Sequence, residues 1–166
     1  MTSFLALFAA LNRKKVQYLV AGGWAVNLYG IERATGDLDL VVYLEQHNLD
    51  KFVAVMKELA FKPKAPVSLD DFTLAEKREE WIRDKGMMVF SFFDPKNPYF
   101  SLDVFIDIPF DFQKVYPERV RIKTGTTFVP VVPVRTLIEM KEKAGRPQDI
   151  ADVYYLKQIE SESNHG

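Results

Sequence analysis

The spacing of apolar positions changes several times along the chain, and each spacing predicts a different element. Near the N-terminus, four apolar residues recur at helical spacing and predict an amphipathic first helix. They are Phe4, Leu7, Phe8 and Leu11. The following run, VQYLVAG at 16–22, is short, rich in residues that favour strands, and ends at glycine. We interpret it as a buried strand.

The next part of the chain alternates in the same way between helix and strand. Residues 23–30, GWAVNLYG, predict a short helix that ends at a glycine, and residues 37–44, DLDLVVYL, predict a second strand. Residues 48–60 have the spacing of an amphipathic helix. Either Asn48 or Asp50 is expected to cap its N-terminus, because both side chains accept backbone hydrogen bonds well.

The middle of the chain has one polar segment and one clear pair of strands. Residues 61–86 are polar, contain prolines and show no regular pattern. Residues 87–93, MMVFSFF, and 99–108, YFSLDVFIDI, predict two strands. The sequence DPKNP between them favours a turn, so the two strands are expected to form a hairpin.

The C-terminal third predicts one weak strand followed by two helices. Residues 121–133 predict a shorter edge strand that prolines interrupt. Residues 134–145 predict a helix that ends at glycine, and 147–160 predict a second helix that begins with proline. Because helices and strands are interleaved, we expect the α/β (α+β) class, with one mixed central sheet flanked by helices. A single domain should span residues 1–160, and residues 161–166 should form a disordered tail.

Composition narrows the functions that this chain could have. It has 166 residues, 48% of them hydrophobic, a net charge of -1 and no cysteine. The charge disfavours long nucleic acid as a partner. The lack of cysteine excludes disulfides and thiolate metal sites and fits a cytoplasmic protein. The apolar N-terminal segment lacks the charge order of a signal peptide, and no run is long enough to span a membrane.

Two acidic residues in the predicted second strand are the first candidates for chemistry. Asp37 and Asp39 lie on either side of Leu38, so on a strand their side chains share one face. Two like charges side by side destabilise the fold unless a cation, a shared proton or solvent screening relieves them. A solvent-exposed pair at the start of a strand is the alternative to a functional site.

Three neighbouring features favour a site for an anion and a metal. Gly22 and Gly23 lie between a strand and a helix, where bare backbone can approach a phosphate. Arg33 and Thr35 add one positive charge and one hydroxyl just before the acids. Asp103 interrupts an apolar strand, so it must be paired, capped, exposed or metal-bound. The glycines match neither a P-loop nor a dinucleotide-binding motif.

These motifs together resemble the signature of the DNA polymerase beta-like nucleotidyltransferase superfamily. The elements are the glycine pair, the spacing to Asp37-Leu38-Asp39, and a third carboxylate on a later strand, Asp103. The string GGWAVNLYGIERATGDLDL is similar to small bacterial members, which include lincosamide-modifying and toxin-antitoxin nucleotidyltransferases. The C-terminal EMKEKAGRPQDIADVYYL also resembles this group. Many members have serine where this chain has Gly23.

The resemblance implies the polymerase beta-like fold and an active site with two Mg²⁺ ions. Asp37 and Asp39 would hold the ion bound to a nucleoside triphosphate, and together with Asp103 they would hold the second. Asp103 would also act as general base towards the acceptor hydroxyl. Asp107, four residues further on, is the alternative third acid. The nucleotide-binding residues that we expect are Gly22, Gly23, Arg33, Thr35 and Lys141.

For two charged residues of the predicted C-terminal helices, the sequence allows both a structural and a functional role. Lys141 continues the apolar stripe of the first of these helices. It could extend to solvent at the edge of that stripe or contact a phosphate. Asp149 lies two residues after Pro147 and could complement the helix dipole or belong to the site.

The leading functional hypothesis is Mg²⁺-dependent transfer of a nucleoside monophosphate to a hydroxyl of a small molecule or protein. A non-catalytic binding or antitoxin module with the same fold is the alternative, and a phosphoester hydrolase is a third. The acceptor could bind residues 62–86 or a second subunit, or could itself be a protein. The further partners that we expect are a toxin or a second copy of this chain in a homodimer, and the sequence does not indicate the nucleobase.

Overall fold

A seven-stranded mixed sheet forms the centre of the protein. The computed structural model describes residues 3–165. In chain order the strands are β1 (Tyr18–Ala21), β2 (Leu38–Val42), β3 (Lys62–Pro63), β4 (Val89–Asp94), β5 (Asn97–Phe105), β6 (Val120–Thr124) and β7 (Thr127–Val131). Their order in the sheet is β3-β4-β5-β2-β1-β7-β6. Strand β2 is parallel to β5 and β1 is parallel to β7, while the other neighbours are antiparallel.

Helices are interleaved with these strands, which confirms the predicted fold class. They are α1 (Phe4–Arg13), α2 (Gly22–Leu28), α3 (Gln46–Glu58), α4 (Ala75–Lys85), α5 (Phe112–Val115), α6 (Val134–Ala144) and α7 (Pro147–His165). Two short 3₁₀ segments, Leu69–Thr73 and Tyr116–Glu118, lie before α4 and after α5. None of the helices within residues 3–165 is both long and apolar enough to cross a membrane.

Helix α1 forms where the apolar spacing predicted it. The Ser3 hydroxyl accepts a hydrogen bond from the Ala6 backbone N–H at 3.1 Å and caps the N-terminus. Leu7, Phe8 and Leu11 are fully buried. The predicted stripe is therefore the face that α1 packs against the core.

The predicted cap of α3 was wrong. Helix α3 begins at Gln46, and the Glu45 side chain accepts hydrogen bonds from the N–H groups of His47 and Asn48. Asn48 is buried instead, and its side chain bonds both backbone groups of Gln17. The sequence pattern could not show this role, because Gln17 lies 31 positions earlier.

Residues 121–133 were expected to form one edge strand. They form most of a β-hairpin whose second strand lies inside the sheet. Strand β6 lies at the edge, but β7 pairs with β6 on one side and with β1 on the other. Pro130 is tolerated within β7 although it removes a backbone donor. The prediction of a single edge element therefore missed the strand that joins this hairpin to the sheet.

The polar segment 61–86 contains more regular structure than its sequence suggested. It supplies β3, the 3₁₀ segment Leu69–Thr73 and α4. Phe72 anchors it, since its ring is fully buried and lies 5.7 Å from that of Phe52 and 5.5 Å from that of Phe92. Aromatic burial thus holds a largely polar segment against the core.

The C-terminal helix is longer than expected. Helix α7 continues to His165, so it includes most of the residues for which a disordered tail was expected. The last residue of that expected tail, Gly166, lies outside the described residues.

Candidate active site

The strand register places two of the predicted acids next to each other. Asp39 of β2 is the direct partner of Asp103 of β5. Because these strands are parallel and in register, the two side chains lie on the same face of the sheet. Asp37 precedes β2, which begins at Leu38, and is exposed. The pair that shares a strand face is thus Asp39 and Asp103, not Asp37 and Asp39.

All the sequence-predicted site residues line one cleft of about 220 Å³. The lining residues are Gly22, Gly23, Arg33, Thr35, Gly36, Asp37, Asp39, Asp103, Lys141, Arg146 and Gln148. The alternative acid Asp107 is exposed and follows the end of β5. Neither Asp107 nor any residue of 62–86 is among the lining residues. The geometry therefore favours Asp103 as the third acid.

Burial and neighbouring charges perturb Asp39. Burial, the larger cause, and repulsion from Asp103 and Asp37 together raise the pKa of its carboxyl to about 7. Lys141 and Arg146 oppose the effect. A cation bound among these carboxylates would relieve the repulsion.

Gly22 makes room for the Asp39 carboxylate. It has a φ of +64°, in the left-handed region that favours glycine. A Cβ atom at this position would lie 2.0 Å from Oδ2 of Asp39. Both the backbone conformation and the close approach therefore require glycine.

Gly23 has a different neighbour, the side chain of Thr35. A Cβ atom at Gly23 would lie 2.3 Å from Thr35 Oγ1 and 3.3 Å from Cζ of Arg33. The Thr35 hydroxyl thus occupies the space next to the second glycine. This contact gives a physical reason for Gly23 at a position where the resembled superfamily often has serine.

Replacing Gly23 by Ser should lower stability by about 1 to 3 kcal/mol, because the new side chain would overlap Thr35. The double variant Gly23→Ser/Thr35→Ala should recover most of that loss. Thermal unfolding of both variants and of Thr35→Ala alone measures the coupling. A Gly23→Ser protein as stable as the parent would show that Thr35 does not restrict this position.

Lys141 is neither at the edge of its helix stripe nor free to meet solvent. Its side chain is buried, with Nζ 3.2 Å from Asp149 Oδ1 and 3.0 Å from Asp152 Oδ2. Asp149 is fully buried and also accepts a hydrogen bond from Arg146 Nε at 2.7 Å. Burial opposes its ionisation, but the bonds from Arg146 and Lys141 prevail and lower its pKa to about 2.

The same network ties the loop before β2 to the C-terminal helices. Arg33 donates a hydrogen bond to Asp152, which also pairs with Lys141. Asp149 is thus more than a first-turn acid of α7, since it neutralises cations behind the cleft. The network fixes the positions of Arg33 and Lys141, and both still line the cleft.

Sequence reasoning missed five residues of the site, one of which is Gly36, directly before Asp37. Arg146, just before α7, and Gln148, in its first turn, line the cleft, and Asp152 pairs with two of the cleft's cations. Ser91 of β4 donates a hydrogen bond of 2.6 Å to Asp103 Oδ1. Ser91 and Asp103 are cross-strand partners, so the predicted hairpin register was the one signal that could have identified Ser91.

The donor set of the cleft suits a hard divalent cation. Asp37, Asp39 and Asp103 offer only oxygen atoms, which Mg²⁺ prefers. Within residues 3–165, no three Asp, Glu or His side chains are already grouped so that they could hold a metal ion. Mg²⁺ sites of this kind commonly use one or two carboxylates and are completed by substrate phosphates. The crowded Asp39 fits such an incomplete site.

Comparison with protein families identifies the group to which this fold and cleft belong. The family described as nucleotidyl transferase AbiEii toxin, type IV toxin-antitoxin system, matches residues 5–165. The chain belongs to this nucleotidyltransferase family. No curated protein matches the chain in sequence.

Solved structures of nucleotidyltransferases share the fold. The lincosamide antibiotic adenylyltransferase LnuA, with lincomycin bound, superposes with a TM-score of 0.62 at 15% identity, over 93% of this chain and 94% of that one. ANT(2″)-Ia in complex with adenylyl-2″-tobramycin gives a TM-score of 0.57 at 15% identity, over 90% and 82%. An antigenic nucleotidyltransferase-like protein from Paracoccidioides brasiliensis gives 0.58 at 17% identity, over 92% and 72%. At these identities the likeness shows the fold alone.

Proposed function

We propose that this protein is an Mg²⁺-dependent nucleotidyltransferase that moves a nucleoside monophosphate from a triphosphate to a hydroxyl group. The observation that carries the proposal is the in-register pairing of Asp39 with Asp103, beside the left-handed Gly22. This pairing concentrates carboxylates where a metal and a phosphate would each be needed. Membership of a nucleotidyltransferase family supports the same reaction class.

Asp37 and Asp39 are the proposed ligands of the nucleotide-bound Mg²⁺, with Asp103 joining them at a second ion. Bound Mg²⁺ would neutralise charge on the triphosphate and lower the pKa of the acceptor hydroxyl. The backbone N–H groups of Gly22 and Gly23, at the start of α2, are the proposed hydrogen-bond donors to phosphate oxygens. Arg33 and Thr35 are proposed to orient those oxygens from the neighbouring loop, where the Arg33–Asp152 pair holds the guanidinium in place.

Asp103 is the proposed general base for the acceptor hydroxyl. Ser91 donates its hydrogen bond to Oδ1, which fixes the carboxylate and leaves Oδ2 to take the proton. In-line displacement at the α-phosphorus then forms the new oxygen–phosphorus bond, and pyrophosphate leaves. Lys141 and Arg146 line the cleft, and their proposed role is to offset the negative charge that the leaving group gains.

The acceptor is proposed to be a small molecule or a protein. LnuA was solved with lincomycin and ANT(2″)-Ia with adenylyl-2″-tobramycin, which makes a small-molecule hydroxyl a natural candidate. The family description names a toxin of a toxin-antitoxin system, which favours a cellular target and an antitoxin partner. Residues 62–86 do not line the cleft, which favours a second subunit or the acceptor itself as the part that completes the acceptor side. We place this reaction in the cytoplasm.

A non-catalytic antitoxin module is less well supported. The family is described by its toxin, and the three acids expected of an enzyme all line the cleft. A binding module would have no need for that set of crowded carboxylates. The two functions differ in turnover, which can be measured directly.

Incubation with each labelled nucleoside triphosphate, Mg²⁺ and host lysate should label one class of acceptor and release pyrophosphate. Mg²⁺ with the preferred triphosphate should also raise the melting temperature of the protein. Addition of a chelator should abolish both effects. A folded protein that binds no triphosphate at millimolar concentration would overturn the enzyme assignment in favour of the binding module.

A further inference from the structure

A second hollow lies at the other end of β1 from the catalytic cleft. It has a volume of about 910 Å³ and opens between the end of α1 and the β6–β7 hairpin. Tyr18, the first residue of β1, lines it, whereas the last residue, Ala21, precedes Gly22 of the cleft. At about 3.3 Å per residue, these two ends of β1 are roughly 10 Å apart. The hollow is therefore distinct from the proposed active site.

This hollow is strongly basic in a chain whose net charge is only -1. Arg13, Lys15, Arg119 and Arg121 line it, and none of its described lining residues is acidic. Arg13 pairs with Glu58 at 2.5 Å. The other three cations form no ion pair among the residues that the structure describes. Their charge is available to an anionic ligand.

Two of these cations lie over aromatic rings. The Arg119 guanidinium lies 4.2 Å from the centre of the Tyr116 ring, and its Nη1 donates a hydrogen bond to the Tyr116 carbonyl at 3.0 Å. The Arg121 guanidinium lies 5.1 Å from the centre of the Phe128 ring. Guanidinium groups that are already oriented lose less freedom when they bind a carboxylate.

Strand β6 contributes Arg121 to the hollow, and its outer edge can pair with another strand. Strand β6 ends the order of strands in the sheet, so among the described residues its backbone pairs with β7 alone. Arg121 and Lys123 of β6 are two positions apart and share one face, and Arg119 lies directly before the strand. A second copy of this edge would bring like charges together, whereas an acidic strand would match the charges at the same spacing.

We propose that the hollow and the free edge of β6 together bind an extended acidic segment of another protein, which adds a strand to the sheet. Its backbone would pair with β6, and its alternating carboxylates would meet the guanidinium groups of Arg119 and Arg121. The exposed ring of Phe128, 47% accessible, offers an apolar contact within the hollow. This interaction does not depend on nucleotide transfer.

A peptide of alternating glutamate and valine, long enough to pair with the five residues of β6, tests this proposal. The fluorescently labelled peptide should bind saturably, and the affinity should fall with increasing salt. Arg119→Gln and Arg121→Gln should each weaken binding about tenfold, since each removes a charge-assisted contact. Arg83→Gln is the matched control, because Arg83 is an exposed arginine on α4, and it should bind as the parent does.

Two further probes separate strand addition from simple charge attraction. The same peptide with N-methyl groups at alternate residues keeps its charges but loses the backbone N–H donors along one edge. When that edge is the one that faces β6, binding should largely disappear. Equal binding of the methylated peptide would overturn strand addition. An oligouridine tests whether the basic hollow binds nucleic acid instead. If it binds more tightly than the acidic peptide, the assignment to an acidic protein segment is overturned. Absence of saturable binding by a protein with a native circular-dichroism spectrum would overturn the site itself.

Discussion

Replacing Asp39 by Asn should abolish nucleotide transfer while leaving a folded protein. The metal-bound triphosphate would lose an anionic ligand, and we expect turnover to fall by about 10²- to 10³-fold or more. The same variant should lose the rise in melting temperature that Mg²⁺ and triphosphate give the parent. Asp103→Asn should keep much of that rise but lose turnover, since the proposed work of Asp103 concerns the acceptor hydroxyl.

Stability in chelator separates a metal-binding role of Asp39 from a purely structural one. Burial and the neighbouring carboxylates raise the pKa of Asp39 to about 7. A folded-state pKa above the unfolded value means that stability falls as pH rises from about 4 to about 7. Without metal, Asp39→Asn should therefore equal or exceed the parent in stability, by about 1 to 3 kcal/mol at pH near 8 and by less at lower pH.

Asp107→Asn is the control for both measurements. Asp107 is an exposed acid just after β5 and does not line the cleft. Its replacement should change neither turnover nor the response to metal and nucleotide. A strongly destabilised Asp39→Asn protein that still gained stability from Mg²⁺ and triphosphate would contradict the metal role.

The parts of the fold that follow from local sequence were predicted well. Short apolar strands, the turn between β4 and β5, the apolar spacing of α1 and the proline that begins α7 all depend on residues close to one another in the chain. The spacing of Gly22, Gly23, Asp37 and Asp39 is local too, so the cleft could be proposed before the fold was known. Asp103 was found because an acid within an apolar strand needs an explanation.

The features that sequence reasoning missed depend on distant contacts. Arg33 and Asp152 are 119 positions apart, and neither has a local pattern that indicates the other. Lys141 continued an apolar stripe, but its burial is tolerated because Asp149 and Asp152 surround it. Strand β7 carries a proline and was expected at an edge, whereas the parallel pairing with β1 places it inside the sheet.

Replacing Gly22 by Ala should disrupt the cleft more than any other substitution of similar size. The methyl group would lie 2.0 Å from Asp39 Oδ2 and 2.9 Å from its Cγ, so the carboxylate would have to move. The φ of +64° adds about 1 to 2 kcal/mol of backbone strain for a residue with a Cβ. We expect a total loss of about 2 to 4 kcal/mol in stability. Because displaced Asp39 could no longer share a metal with Asp37, turnover should fall at least about 10²-fold.

Gly86→Ala is a matched control, because it isolates the backbone strain from the clash with Asp39. Gly86 has a φ of +60° at the end of α4, and nothing lies within 4 Å of the position that its Cβ would take. Its replacement should cost about 1 to 2 kcal/mol and leave transfer unchanged. The difference between the two variants, measured by chemical unfolding in chelator, then gives the free energy required to displace Asp39. If Gly22→Ala is no less stable than Gly86→Ala and retains turnover, Gly22 does not position the acid. Its left-handed turn would then serve only to connect β1 to α2.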